Sequence, residues 1–430
     1  MTERRSNNSR IAVRTRKMRA HNVRLLKILS AFIVLCLVFL LGFAARGNTA
    51  LMSHLGFNQT QTGAAATDAS SQSKKNSYNS VSSRVSEVED VLSDDSLDSY
   101  SLDSATTAVL DAFGTASNDP YLRYYSPARY ESLLNNADDG YAGVGVLFSE
   151  YNGKAYAVDV FEGSDAQLSG VEEGDFVVSI DGDSSQSWSR SEVAAALSKK
   201  AGESVVITWR RPESLTADGG EEFTTTLDCA EYSEPNVTTS LENGVGYIQL
   251  KQFTQNAESL VEQAISSLDS QGADAYVLDL RNNPGGYLTQ AVSTASLFMQ
   301  SGTVVQVRTK DGTSTKSATG NPVTNEPLVV ITNGNTAAAA EVLAAALSDS
   351  QRATIVGETT LGKGTVQVIR KLSFGGAMRY TAAYYLTPKG NTIDQVGVTP
   401  DVVVRNSSDD TSSDAQKDYA MEYARSLRTS

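Results

Sequence analysis

The sequence predicts an α/β fold, on three observations. Strands and helices alternate between about Val237 and Arg405, a Gly-rich β segment precedes them, and the strand-like runs of the alternating part are short and apolar. Within the alternating part, YIQLKQF, AYVLDL and PLVVIT read as strands, and ESLVEQAISSLDSQ and AAAAEVLAAAL read as helices. TIVG and VQVIRKL add two more strand-like runs. Strands that alternate with helices argue for an α/β core. The 430 residues are enough for two or three domains, each with its own core.

Residues 1–27 form a basic tail, with Arg4, Arg5, Arg10, Arg14, Arg16, Lys17, Arg19, Arg24 and Lys27 against the single acid Glu3. Residues 28–45 follow as 18 uncharged, mostly apolar positions, a length that can cross a bilayer core as a helix. The positive-inside rule keeps the tail cytoplasmic and exports the rest, which predicts a single-pass anchor in the cytoplasmic membrane. A cleaved signal peptide is the alternative, but the run is longer than a typical signal core and no A-x-A site follows. Residues 46–83, polar and rich in Ser, Asn, Gln, Thr and Ala, read as a flexible tether.

From about Val81 the pattern turns amphipathic and helical, with Val85, Val88, Val91 and Leu92 on one side, so residues 84–137 are expected to be helical. Residues 138–231 carry short β-like runs and Gly-rich turns. Residues 237–405 hold the α/β core, and 406–430 read as a polar tail in which Asp414 to Leu427 forms at most a loose helix.

Charge and rare residues exclude several functions. Asp and Glu number 50 against 36 Lys and Arg, a net charge of −14, and no basic stripe survives beyond the N-terminal tail. Nucleic acid is therefore not an expected partner. Cys36 and Cys229 lie far apart, one of them in the apolar run, so no intrachain disulfide is expected. His21 and His54 both precede the globular part. A Ser-His-Asp triad, a Cys-His dyad and a histidine-ligated metal site are thereby excluded from it, and no metal or cofactor is expected.

In the middle section, Tyr141, Ala142, Gly143, Val144, Gly145 and Val146 form a glycine-containing loop that runs into the strand Val146 to Phe148. Ala166 to Gly182 then reads as helix, turn and strand, and a helix follows from Ser191 to Lys199. Taken alone, the glycines make tight turns. Taken together, the two segments resemble a PDZ domain of bacterial proteases. The resemblance implies a carboxylate-binding loop at 141–146 and a strand edge that pairs with a peptide C-terminus.

Three stretches of the core bear on chemistry. Strand AYVLDL ends in Arg281-Asn-Asn-Pro-Gly-Gly286, which is either a plain turn or a source of backbone N–H groups for a ligand. Strand PLVVIT leads through Asn333-Gly-Asn-Thr336 into the alanine-rich helix, a strand–turn–helix elbow. Gly357 to Gly364 nearly matches a phosphate-binding loop, but Gly364 stands where Ser or Thr belongs and a strand follows instead of a helix. Lys363 between its two glycines is either a solvated turn residue or a desolvated base.

In order, these stretches resemble the carboxy-terminal-processing (tail-specific) serine peptidase family over about Asp119 to Asp401. Further matching segments are Asp119-Pro-Tyr121, Gly246-Tyr-Ile248, Ala353 to Glu358, Tyr384 to Pro388 and Gly397 to Asp401. The family uses a serine–lysine dyad. The resemblance implies that Lys363 is the general base, Gln367 orients it, and Glu341 is the carboxylate on the nucleophile-bearing helix. It also implies an oxyanion hole from backbone N–H groups at Gly285, Gly286 and Ala339. Aligning Asn333 and Glu341 places the nucleophile at position 338, 25 positions before Lys363, where this sequence has Ala338.

A member lacking its serine leaves three readings. The chain binds unstructured protein C-termini without cutting them, it cuts with a displaced hydroxyl such as that of Thr336, or it is a Ser-to-Ala substrate-trap form of an active protease. All three take protein or peptide ligands and leave homo-oligomerisation open.

Overall fold

In the computed structural model, the described residues are 80–135, 143–232, 234–320, 322–406 and 413–428. The basic tail, the anchor at 28–45, most of the tether, and Tyr141 and Ala142 of the expected peptide loop lie outside them. Among the described residues no helix is long and apolar enough to cross a membrane.

The chain divides at Ser99 into two compact units. The first contributes α1 (Val81–Asp95), capped by Ser80, whose hydroxyl accepts from the Ser83 N–H. All other elements belong to the second unit.

That unit is built on three sheets. The central one runs β16 (Val402–Val403), β13 (Thr354–Gly357), β12 (Leu328–Thr332), β9 (Ala275–Asp279), β8 (Val245–Leu250) and β7 (Val237–Glu242). All neighbours are parallel except the edge pair β7 and β8. Every residue of β9 and β12 is buried, as expected of parallel strands covered on both faces. Tyr276, Leu278, Val330 and Ile355 face α6 (Ala257–Ser270), α7 (Leu288–Ser296) and α8 (Ala339–Asp349). The alternate positions Val277, Val329, Ile331 and Val356 face Ala420 and Ala424 of α9 (Ala415–Leu427). The helix expected within the polar tail, Asp414 to Leu427, is present as α9, and what is corrected is its looseness, since it packs on the sheet. Small Ala420 and Ala424 lie one helical turn apart and let α9 approach the sheet closely.

The second sheet is antiparallel and runs β2 (Val146–Tyr151), β3 (Lys154–Val160), β4 (Phe176–Ile180), β5 (Ser204–Arg211) and β6 (Glu221–Asp228). It encloses its own core around Trp209, Phe148, Ile207 and Leu197. Helix α5 (Arg190–Leu197) opens with a complete capping box between Ser189 and Glu192.

The third sheet joins distant segments in the order β1 (Arg123–Tyr125), β15 (Ala377–Leu386), β10 (Ser301–Thr309) and β11 (Gly312–Thr319), with β14 (Thr365–Lys371) on the other side of β15. Strand β1 interrupts the region expected to be wholly helical, between α2 (Leu102–Ala116) and α3 (Pro127–Asn135). Its Tyr124 and Tyr125 are buried, and aromatic residues suit a half-covered strand better than a helix.

Candidate active site

Buried strand β12 delivers Asn333–Ala338 to the start of α8. Ala338 caps that helix at φ 51°, ψ −112°, a conformation in which an L-residue is strained by about 1–3 kcal/mol. Its methyl accepts nothing, so only the acidic half of a capping box exists, with the Ala338 N–H donating to Glu341 Oε2 at 2.8 Å.

Glu341 is fully buried and accepts from four donors. Besides Ala338, these are the N–H of Lys363 to Oε2 at 2.8 Å, and the N–H of Gly362 (2.7 Å) and the Thr360 hydroxyl (2.5 Å) to Oε1. The elbow and the lysine turn thus share one carboxylate. Burial pushes that carboxyl up to about 7, against the pull of its donors. The turn is also held through its carbonyls, which accept from Gln395 N at Gly362 and from Tyr385 N at Gly364.

Opposite the elbow lies the turn after β9. Gly285 and Gly286 have φ of 87° and 140°. A Cβ on Gly285 would stand 2.9 Å from the Ala338 Cβ, so this glycine is what lets the two loops touch. The Gly285 N–H donates to the Asn283 side chain at 2.9 Å. Among the described residues, none accepts from the N–H of Gly286 or of Ala339. Of the three amides singled out in the sequence, two are therefore available to a ligand and one is committed. Asn282 and Asn333 bind each other reciprocally, each side-chain or backbone N–H meeting the other's Oδ1, and the Ala337 N–H donates to the Asn283 carbonyl.

Lys363 is mostly buried. Its Nζ lies 3.9 Å from Glu150 Oε2 and 5.9 Å from the centre of the Tyr121 ring. Burial lowers its pKa to about 8, Arg379 acts in the same direction, and Glu150 opposes them. Gln367 donates its side-chain N–H to Thr365 Oγ1 at 2.7 Å, while the charged neighbour of the lysine is Glu150. A polar recess of about 350 Å³ opens beside the lysine turn, lined by Tyr121, Thr365, Thr381, Tyr384 and Asp394. Thr336 is fully buried; its hydroxyl donates to the Leu280 carbonyl at 2.9 Å and accepts from Asn333 N at 3.0 Å.

Of the other expected loop residues, Val144 and Val146 are buried in the antiparallel domain's core. Gly145 adopts φ 78°, where a Cβ would collide with Ser164, and the Gly143 carbonyl accepts from Ala230 N. Nothing in the sequence marked Glu150 or Arg379, because they meet each other across two sheets.

A strained residue at a helix N-terminus, with one available amide from its own helix and one from the facing glycine turn, and tied through Glu341 to the turn that carries a buried lysine, has the arrangement of a serine-hydrolase centre. The comparisons agree. Residues 244–404 match peptidase family S41. A carboxyl-terminal-processing protease from Picosynechococcus sp. is 38% identical over 296 residues, covering 67% of this chain and 70% of that protein. The carboxy-terminal processing protease CtpA of Bacillus subtilis is 33% identical over 288 residues, covering 66% and 60%. A solved photosystem II D1 C-terminal processing protease superposes with a TM-score of 0.60 at 29% identity, covering 75% of this chain and 86% of that one. The chain belongs to the carboxyl-terminal-processing protease family of the S41 type.

Proposed function

We propose that this chain is a member of the family that captures unstructured protein C-termini without cleaving them. The observation that carries the reading is Ala338. The elbow, its strain, the Glu341 bridge, the available amides and the buried lysine surround a methyl group that has no lone pair with which to attack a carbonyl.

With serine at position 338, its oxygen would attack the scissile carbonyl and Lys363 would take the proton. The N–H groups of Gly286 and Ala339 would then receive the developing oxyanion. With alanine the covalent step is lost, and with it most of the rate. Thr336 is a poor substitute, since its hydroxyl is buried with both its donor and its acceptor capacity engaged.

Capture is assigned to the antiparallel domain, read as a PDZ module. Gly145 leads into β2, an edge strand of its sheet, and α5 packs against that strand. A peptide would add as a further strand with its carboxylate at the glycine loop. The uncharged run at 28–45 would tether the chain to the cytoplasmic membrane, with the bulk exported.

The test is to incubate the full chain in mild detergent with an unfolded protein ending in apolar residues, beside Ala338→Ser. An inert native chain and a cutting serine variant support the reading. A native chain that cuts, and stops cutting on Thr336→Val, refutes it.

A further inference from the structure

The Lys363 ammonium has a buried carboxylate neighbour from another sheet, and no role above uses it. Glu150 stands near the end of β2, 2% exposed. Its Oε1 accepts from Arg379 Nη2 at 2.8 Å. Its Oε2 accepts from the Arg190 backbone N–H at 3.3 Å and faces Lys363 Nζ at 3.9 Å. The Arg379 ion pair engages Oε1, and Oε2 lies within ion-pair distance of Lys363 Nζ.

We infer that Glu150 is a positioning residue for Lys363, the counter-ion through which the antiparallel domain sets the protonation of a lysine in the α/β core.

Two opposed influences act on that ammonium. Burial favours the neutral amine, the form a general base needs, and a nearby carboxylate favours the charged one. The charged groups that face Lys363 are Glu150 from β2, Arg379 from β15, Arg190 from the start of α5 and Glu341 from α8. Arg379 and Arg190 add to burial, and Glu150 is the principal opposing group, with Glu341 contributing less. Glu150 is itself held ionised. Burial would raise its pKa, but Lys363 and Arg379 outweigh burial and keep it at about 2.

Lys363 belongs to the turn before β14, whereas Glu150 belongs to the strand that follows the expected peptide loop. A shift of β2 that withdraws Glu150 would leave burial and Arg379 acting on the lysine, which would then lose its proton at lower pH. This assignment rests on the proposed dyad for its catalytic meaning, but its physical content is independent of turnover.

The experiment is competitive acetylation of the full chain with acetic anhydride between pH 6 and 11, with Lys363 read by peptide mass spectrometry. Glu150→Gln is expected to move the Lys363 reactivity profile down by about one pH unit, which makes the lysine about fivefold more reactive at pH 7. Arg379→Gln is expected to move it up, so a result is obtained even if only one variant folds. A Glu150→Gln profile superimposed on the native one, or an Arg379→Gln profile that stays or falls, overturns the inference. In the Ala338→Ser background, Glu150→Gln is expected to carry the acidic limb of the pH–rate profile down by the same amount. If Ala338→Ser is inert, the proposed dyad fails while the acetylation profiles still decide on Glu150.

Discussion

Thr336 illustrates how a residue that looks chemical in sequence can be structural in place. It is the hydroxyl nearest position 338, yet it points back to the Leu280 carbonyl and ties the end of β9 to the elbow. Thr336→Val is expected to cost about 1–3 kcal/mol, the penalty of leaving buried partners unsatisfied, seen as a lower urea midpoint with unchanged peptide affinity. Lys363 and Glu341 were legible because glycines or an alanine helix set them off and the family spacing fixes them. Glu150 was not, since its partner Arg379 lies 229 positions away and a glutamate in a strand carries no mark of its ion pair. The commitment of the Gly285 amide is a local matter, since the Asn283 side chain accepts from the amide two residues on, as asparagine does in turns.

Among the elements, the turn between β9 and α7 is the most exacting. A Cβ on Gly286 would stand 2.2 Å from the Phe253 carbonyl oxygen, and its φ of 140° suits no other residue. Gly286→Ala is therefore expected to destabilise by roughly 3 kcal/mol, from overpacking and backbone strain together. Denaturant unfolding would measure it, and a loss under 1 kcal/mol would mean the turn yields easily. Strands β9 and β12 were readable as short continuous apolar runs, and α6 from the helical spacing of its buried Val261, Ile265 and Leu268. The hairpin β10–β11 was not, since β11 is exposed at nearly every position and its threonines and serines resemble a loop. Strand β1 escaped because three residues are too few to establish a period.

For the molecule as a whole, the central sheet is closed on its second face by α9, and one arginine secures that closure. The guanidinium of Arg281 pairs with Asp279, which is fully buried, and with Asp414 at the start of α9. Arg281→Met leaves a buried carboxylate without its cation and is expected to cost about 3–5 kcal/mol. A calorimetric scan should show a lower melting temperature, and an unchanged one would mean that α9 is held by its apolar face alone. The sequence suggested only a loose helix here because Lys417, Asp418, Glu422 and Arg425 interrupt its apolar positions. The two alanines that meet the sheet are too small to register as a hydrophobic stripe.

The four donors on Glu341 have a mechanical meaning as well. Elbow and lysine turn hang on one carboxylate inside the core, so neither has a degree of freedom of its own there. A displacement of one strains the hydrogen bonds that hold the other. Any relative movement between the lysine and its surroundings has to originate in the side chain of Lys363 or in the sheet that carries Glu150, and the backbone behind the elbow serves as the fixed frame against which that movement is registered.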